Sequence, residues 1–283
     1  YSDLNDIKKS FIEFASKVPF YGFIVACIDE ENVKQIMPAL CNADSSLNRR
    51  VITYGLDKSA DIRADNVVFQ NSNSSYEVFV REEYLGKIDL LVPGLHNVRN
   101  SLAAIAVSLQ LGVPFSTIKE ALKNFAGADR RFEILYDKEI LIVDDYAHHP
   151  NEVKATLEAI KNGYNRRTIA VFQPHLYSRT RDFYKEFAEV FQLADVFICL
   201  DIYPSREKPI DGVTSELIIN EARRLGHKNI VQIKVNDNLI NELLSIKENN
   251  DIFVFLGAGS ITGYSKKFEN LLRSNEERSE VNE

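Results

Sequence analysis

The sequence predicts an α/β protein in two parts, the second built around a parallel sheet. Three observations carry this. Beyond residues 127–131, apolar runs of strand length alternate with loops and amphipathic helical segments, the pattern of a parallel sheet. Between residues 51 and 91 the runs are short, rich in β-branched and aromatic residues, and separated by Asn, Ser, Asp and Gly, as in antiparallel strands. A chain of 283 residues that is 45% hydrophobic and 27% charged is large enough for two folded domains.

Taken in order, Ile7, Phe11, Ile12, Phe14 and Ala15 recur near helical spacing and predict a helix over residues 5–17. YGFIVACID (21–29) reads as a buried strand, and VITYG, NVVFQ, YEVFV and KIDLLV as the short strands that follow. In PGLHNVRNSLAAIAVSLQLG, Pro93 and Gly94 break the last of these, and an Ala-rich helix is expected over residues 97–111. VPFSTIKEALKNFAG predicts another helix, with Thr117 as N-cap and Glu120 at the capping-box spacing. After the boundary the expected strands are EILIVDD, RTIAVFQ, DVFICL and DIFVFLG. From Arg273 the segment RSNEERSEVNE lacks apolar periodicity and reads as a frayed tail.

The net charge of -7 and the pI near 5.4 give no general attraction to nucleic acid or anionic membrane, so nucleic acid is not an expected partner. Cys27, Cys41 and Cys199 lie far apart, without CxxC spacing, which fits a reduced, cytoplasmic compartment. No apolar run approaches the ~20 residues that span a bilayer, and membrane insertion is not expected. The chain opens at Tyr1, its sole methionine is Met37, and it reads as a piece of something longer. Oligomeric state is not legible in it.

In an open α/β sheet, ligands bind outside the carboxyl ends of the strands, where helix N-termini also point. The chemically unusual residues fall at those ends. Asp144, Asp145, Tyr146, His148 and His149 follow the first strand; His175, Tyr177 and Arg179 the second; Asp201, Tyr203 and Arg206 the third; Gly257, Gly259 and Ser260 the fourth. Each alone reads more readily as a capping or surface residue, but four recurrences point to one rim. DDYAHHP contains good metal ligands, yet no third histidine or cysteine lies at the usual spacing, so no metal site is assigned. A hydrogen-bonding site fits better, with Pro150 and Asn151 setting the loop's exit and a strand-end carboxylate suited to ribose hydroxyls.

In FQPHLYSRTRDFYKEF, Arg179 and Arg181 fall near a helix start, against the dipole preference. That points to a bound carboxylate or phosphate at Arg179, while a surface ion pair accounts equally well for Arg181. GAGSITG (257–263) follows the last strand and has no acidic residue about 20 positions on, so tight strand-to-helix packing fits it better than a dinucleotide site. His96, Asn97 and Asn100 lie at a helix start, where two amides at i, i+3 share a face that reads a base edge or caps the helix. RRFE (130–133) lies at the boundary, where an arginine reaches a phosphate or stays solvated.

Together GLHNVRNSLAA, GADRRFE, VDDYAHHPNEV, FQPHLYSRTRD, YPSREKPIDG and GAG resemble, in this order and to about Phe268, the Mur ligases of bacterial peptidoglycan synthesis. DDYAHHP with QPHxYSRT is similar to the branch that joins L-alanine to UDP-N-acetylmuramate. The resemblance implies that residues 1–128 are the later part of a P-loop-type central ATPase domain, 129–270 a Rossmann-like C-terminal amino-acid-binding domain, and 271–283 a polar tail. It implies ATP and Mg2+ as cofactors, and conversion of the sugar's lactyl carboxylate into an acyl phosphate that the amine of L-alanine attacks through a tetrahedral intermediate.

Residue by residue, His96, Asn97 and Asn100 resemble the adenine-side motif, Arg131 the arginine that contacts the ATP phosphates, and Asp145 the ribose-side carboxylate. Tyr146, His148, His175 and Arg179 resemble the amino-acid pocket, Arg179 being the expected partner of the substrate carboxylate. His148 and Arg131 are the expected catalytic residues. Leu176 stands where relatives carry an arginine. No GxxxxGK[ST] occurs, since Gly86-Lys87 is followed by Ile88. The phosphate loop, its lysine and the first magnesium-binding glutamate are therefore expected upstream of Tyr1, and the chain alone is expected to be inactive. Two other readings stand beside this one: a recycling ligase that attaches a preformed tripeptide to the same sugar, and a non-catalytic adenine-nucleotide-binding module.

Overall fold

The structure, a computed structural model, describes residues 3–42, 50–236 and 238–280. It comprises two compact units, Tyr1–Ala126 and Gly127–Glu283.

In the first unit, α1 (Leu4–Ser16) starts at Asp3, whose carboxylate accepts from the backbone N–H of Asp6. Then come β1 (Phe23–Cys27), α2 (Glu31–Asn42), β2 (Arg50–Gly55), β3 (Ile62–Gln70), β4 (Asn73–Val80) and β5 (Glu83–Leu90), in a sheet of that strand order. β3, β4 and β5 are antiparallel, but VITYG is not: β2 runs parallel to β1 and β3. The reason is α2, which carries the chain back so that β2 starts from the same end as β1.

Helices α3 (Leu95–Gln110) and α4 (Phe115–Lys123) close this core, with Val98, Leu102, Ile105 and Ile118 buried among Ile62, Tyr76, Val78 and Ile88. Thr117 is not the cap of α4. Pro114, with φ fixed at -61°, turns the chain into the helix earlier and leaves Thr117 in its first turn.

The second unit contains β6 (Glu133–Asp137), β7 (Leu141–Asp145), α5 (Pro150–Gly163), β8 (Thr168–Phe172), α6 (Tyr177–Val190), β9 (Val196–Cys199), α7 (Glu216–Arg224), β10 (Ile230–Gln232), α8 (Leu239–Ile246), β11 (Ile252–Leu256) and α9 (Ile261–Glu280). The sheet order is β10-β9-β8-β11-β7-β6, parallel throughout except for β6 at one edge. Strand periodicity sorts the core into two faces. Leu141, Val143, Ala170, Phe172, Phe197, Cys199, Val254 and Leu256 face α5, α6 and α7. Ile142, Ile169, Val171, Ile198, Phe253 and Phe255 face α8 and α9. Phe172 lies wholly buried, 4.9 Å from Phe187 and 5.0 Å from Phe191 between ring centroids. Truncating such a residue to alanine costs about 3–5 kcal/mol.

Residues 281–283 lie outside the described residues, and over residues 273–280 the frayed tail expected from Arg273 is instead the end of α9. Leu272 is buried there, Arg273 pairs with Glu269 one turn back, and its guanidinium also donates to Leu135 O at 3.0 Å.

Candidate functional site

The consecutive carboxylates at the end of β7 point to opposite faces of the sheet. Asp144 accepts from Ser265 Oγ of α9 at 3.3 Å, and Asp145 from Thr156 Oγ1 of α5 at 2.9 Å. Asp145 also accepts from the backbone N–H groups of Ala147 at 2.8 Å and Phe132 at 3.1 Å. Only 5% exposed, its carboxylate is held by these three donors of its own chain. Burial raises both carboxyl pKa values, opposed at Asp144 chiefly by the charge of Arg130 and at Asp145 by the Ala147 N–H.

Asp145 thereby ties the RRFE turn to the DDYAHHP loop. Arg130 and Phe132 adopt left-handed backbone, with φ of 58° and 50°, and Tyr146 N donates to Arg130 O at 2.7 Å. The Arg130 side chain turns inward, donating to Gly257 O at 2.9 Å and approaching Asp144 Oδ2 at 3.6 Å. Arg131 turns outward: its side chain is 53% exposed, with Glu152 at 3.8 Å. Both guanidinium groups lie over the ring of Tyr146, at 4.6 and 5.7 Å from its centroid.

Beyond Tyr146, His149 caps α5. Its side chain accepts from the start of the helix while Glu152 reaches back to the backbone N–H groups of His148 and His149, at 3.0 and 3.2 Å. Burial works to raise the Glu152 pKa, but those hydrogen bonds and the charges of His148 and Arg131 overcome it and leave the carboxyl below its ordinary value. His148 Nδ1 lies 2.8 Å from Tyr146 O, and a carbonyl only accepts. His148 therefore carries a proton on Nδ1, near Glu152 Oε2 at 3.3 Å, and in the neutral ring Nε2 is the acceptor.

A row of rings continues from there: Tyr146 to His148 at 5.1 Å, His148 to His175 at 5.8 Å, and His175 stacked on Tyr203 at 5.8 Å. Arg179 Nη1 lies 3.3 Å from His175 Nδ1. A guanidinium only donates, so this imidazole has the opposite tautomer, with its proton on Nε2. Burial, then the charge of Arg179, hold the His175 pKa below its ordinary value, and burial likewise lowers that of His149. Gly259 makes the row possible, because a Cβ there would stand 2.6 Å from Tyr203 Cγ and 2.5 Å from Gln173 Oε1. Gln173 Oε1 also accepts from Ile261 N, at the start of α9.

Thus Arg131, Tyr146, His148, His175 and Arg179 form one rim, while Arg181 stands apart in an exposed pair with Asp182. Glu152 and Gln173 join this rim without having been expected there. For Glu152 a signal existed, since it stands three residues after the capping His149. Gln173 carried none beyond its place after a strand.

In the first unit, Asn97 Nδ2 donates to Pro93 O at 2.8 Å. His96 is half-buried and Asn100 exposed. Arg99, between them, fixes α3 by donating to Asp29 at 2.8 Å, and Asp29 also accepts from Leu56 N and Asp57 N.

The chain matches two family models, the Mur ligase middle domain over residues 1–108 and the Mur ligase, glutamate ligase domain over residues 130–259. A UDP-N-acetylmuramate–L-alanine ligase of Persephonella marina is 41% identical, across 98% of this chain and 58% of its own length. That of a Sulfurihydrogenibium species is 44% identical across the same shares. Among solved structures, the UDP-N-acetylmuramate–alanine ligase of Thermotoga maritima is similar with a TM-score of 0.74 at 25% identity, covering 97% of this chain and 56% of that one. The chain therefore spans less than two thirds of the length of these relatives.

Proposed function

The chain belongs to the Mur ligase family, and on that premise we propose that it is part of an ATP-dependent, amide-forming ligase that joins L-alanine to UDP-N-acetylmuramate in the cytoplasm. The names of relatives more than 40% identical over nearly the whole chain support that choice of substrates.

The observation that carries the site assignment is the opposed hydrogen bonding of two neighbouring imidazoles, Nδ1 of His148 against a carbonyl and Nδ1 of His175 against a guanidinium. An incoming amino acid brings a carboxylate, which needs donors, and an amine, which must lose a proton before it attacks. His175, through Nε2–H, and Arg179, through its guanidinium, are the donors for the carboxylate. His148 Nε2 is the acceptor for the amine proton, with Glu152 behind it as the orienting carboxylate. Tyr146 forms the wall between this acceptor side and Arg131, whose exposed guanidinium is suited to phosphate oxygens. The adenine side falls to His96, Asn97 and Asn100.

ATP and Mg2+ are the cofactors this reading implies. Among the described residues no group of three or more His, Cys, Asp or Glu is placed to hold a metal ion, and no step is assigned to one. The test is product formation by the polypeptide at its full encoded length: ATP, UDP-N-acetylmuramate and L-alanine together should yield ADP and the alanyl product by mass spectrometry. ADP release that ignores L-alanine would refute the reading.

A further inference from the structure

We infer that Glu207 is a positioning residue of the acceptor rim, capping α6 from outside and so holding Arg179 against His175. The inference deepens the amino-acid-site reading above and rests on it. Helix α6 has no cap of its own: its N-cap is Leu176, with φ 73° and ψ 136° and no side chain able to accept. Few residues other than glycine adopt that backbone, so neighbouring structure must hold it there. Two backbone bonds do so, Leu176 N to Tyr203 O at 3.0 Å and Tyr203 N to Pro174 O at 2.8 Å.

The same loop then turns back, Glu207 N donating to Pro204 O at 3.0 Å. The Glu207 carboxylate accepts from the backbone N–H of Ser178 at 2.9 Å and from its hydroxyl. Residues 203–207 thus form a strap. At one end Tyr203 stacks on His175, and at the other Glu207 occupies the first turn that carries Arg179. With a protein carboxylate already on the helix N–H, Arg179 rather than the helix terminus is the group presented to a substrate carboxylate.

The test uses NMR titration of the His175 ring in the 283-residue chain, comparing Glu207→Ala with Glu207→Gln. The groups that set this titration are Arg179 of α6, His148 after β7 and Glu207 after β9. Glu207 by its charge raises the His175 pKa, whereas Arg179 lowers it. A role through charge alone therefore predicts a downward shift, equal in both variants. Positioning predicts the opposite for Glu207→Ala: release of Arg179 moves the His175 pKa up by roughly half a unit or more. Glu207→Gln keeps an acceptor for the Ser178 N–H and should not rise.

Equal shifts in the two variants, or no shift in either, would overturn the inference. In the full-length ligase, Glu207→Ala should raise KM for L-alanine about tenfold with KM for ATP unchanged, and Glu207→Gln should restore most of the loss. If His175 responds as described while L-alanine proves not to be a substrate, the positioning role stands and the ligase reading fails.

Discussion

Arg179 donates a guanidinium N–H to Nδ1 of His175 at 3.3 Å, a contact that exists only while the imidazole is neutral. Burial and this neighbour hold the folded pKa of His175 below its ordinary value of 6.5. As pH falls, the unfolded chain takes up the proton first. The stability contributed is complete above the unfolded pKa and lost as pH falls through the folded one. Thermal melts should therefore show the stability gap between wild type and His175→Gln narrowing from about pH 7.5 to about pH 5. A gap that widens on acidification would contradict this.

Gly259 and Gly263 form an internal comparison. An added Cβ at 259 meets Tyr203 and Gln173 within 2.6 Å, while at 263 it meets nothing within 4 Å. Gly259→Ala should cost about 1–3 kcal/mol through overpacking. Gly263→Ala, inside α9, should be neutral or stabilising by up to about 1 kcal/mol. Urea denaturation of the two variants measures both.

Asp145→Ala leaves the N–H groups of Phe132 and Ala147 and the hydroxyl of Thr156 without their shared acceptor. The expected destabilisation is about 3 kcal/mol or more, against about 1 kcal/mol for Thr156→Val. A folded, fully stable Asp145→Ala variant that has lost only nucleotide affinity would contradict this and assign Asp145 to the ribose.

Glu152 joins the capping box of α5 to His148. Glu152→Ala should lower stability by about 1 kcal/mol, with Glu152→Gln retaining most of it. Because the folded pKa lies below 4.5, its contribution is present above that pH and fades as pH falls through the folded value. Melting wild type and Glu152→Ala across acid pH checks the sign.

Much of the second unit is legible in the sequence, because strand periodicity and the strand-end clustering of rings and charges are local. Four of its parallel strands and the gathering of Tyr146, His148, His175 and Arg179 follow from them. What escapes is non-local. That Asp145 accepts from its own chain depends on Phe132 and Thr156, which the strand pattern does not place. Glu207 meets Ser178 across 29 positions with no motif to mark the pair. The edge strand β6 and the three-residue β10 are too weakly patterned to read, and at α4 a proline's fixed φ outweighed a well-spaced threonine and glutamate.

The central claim is that His148 serves the amino acid and not the nucleotide. Steady-state ADP release by the full-length polypeptide, with L-alanine and ATP varied in turn, compares wild type with His148→Ala. The account predicts a loss of about 100-fold or more in kcat/KM for L-alanine, with KM for ATP changed by less than about twofold. Equal losses toward both substrates, or no loss toward L-alanine, would contradict it.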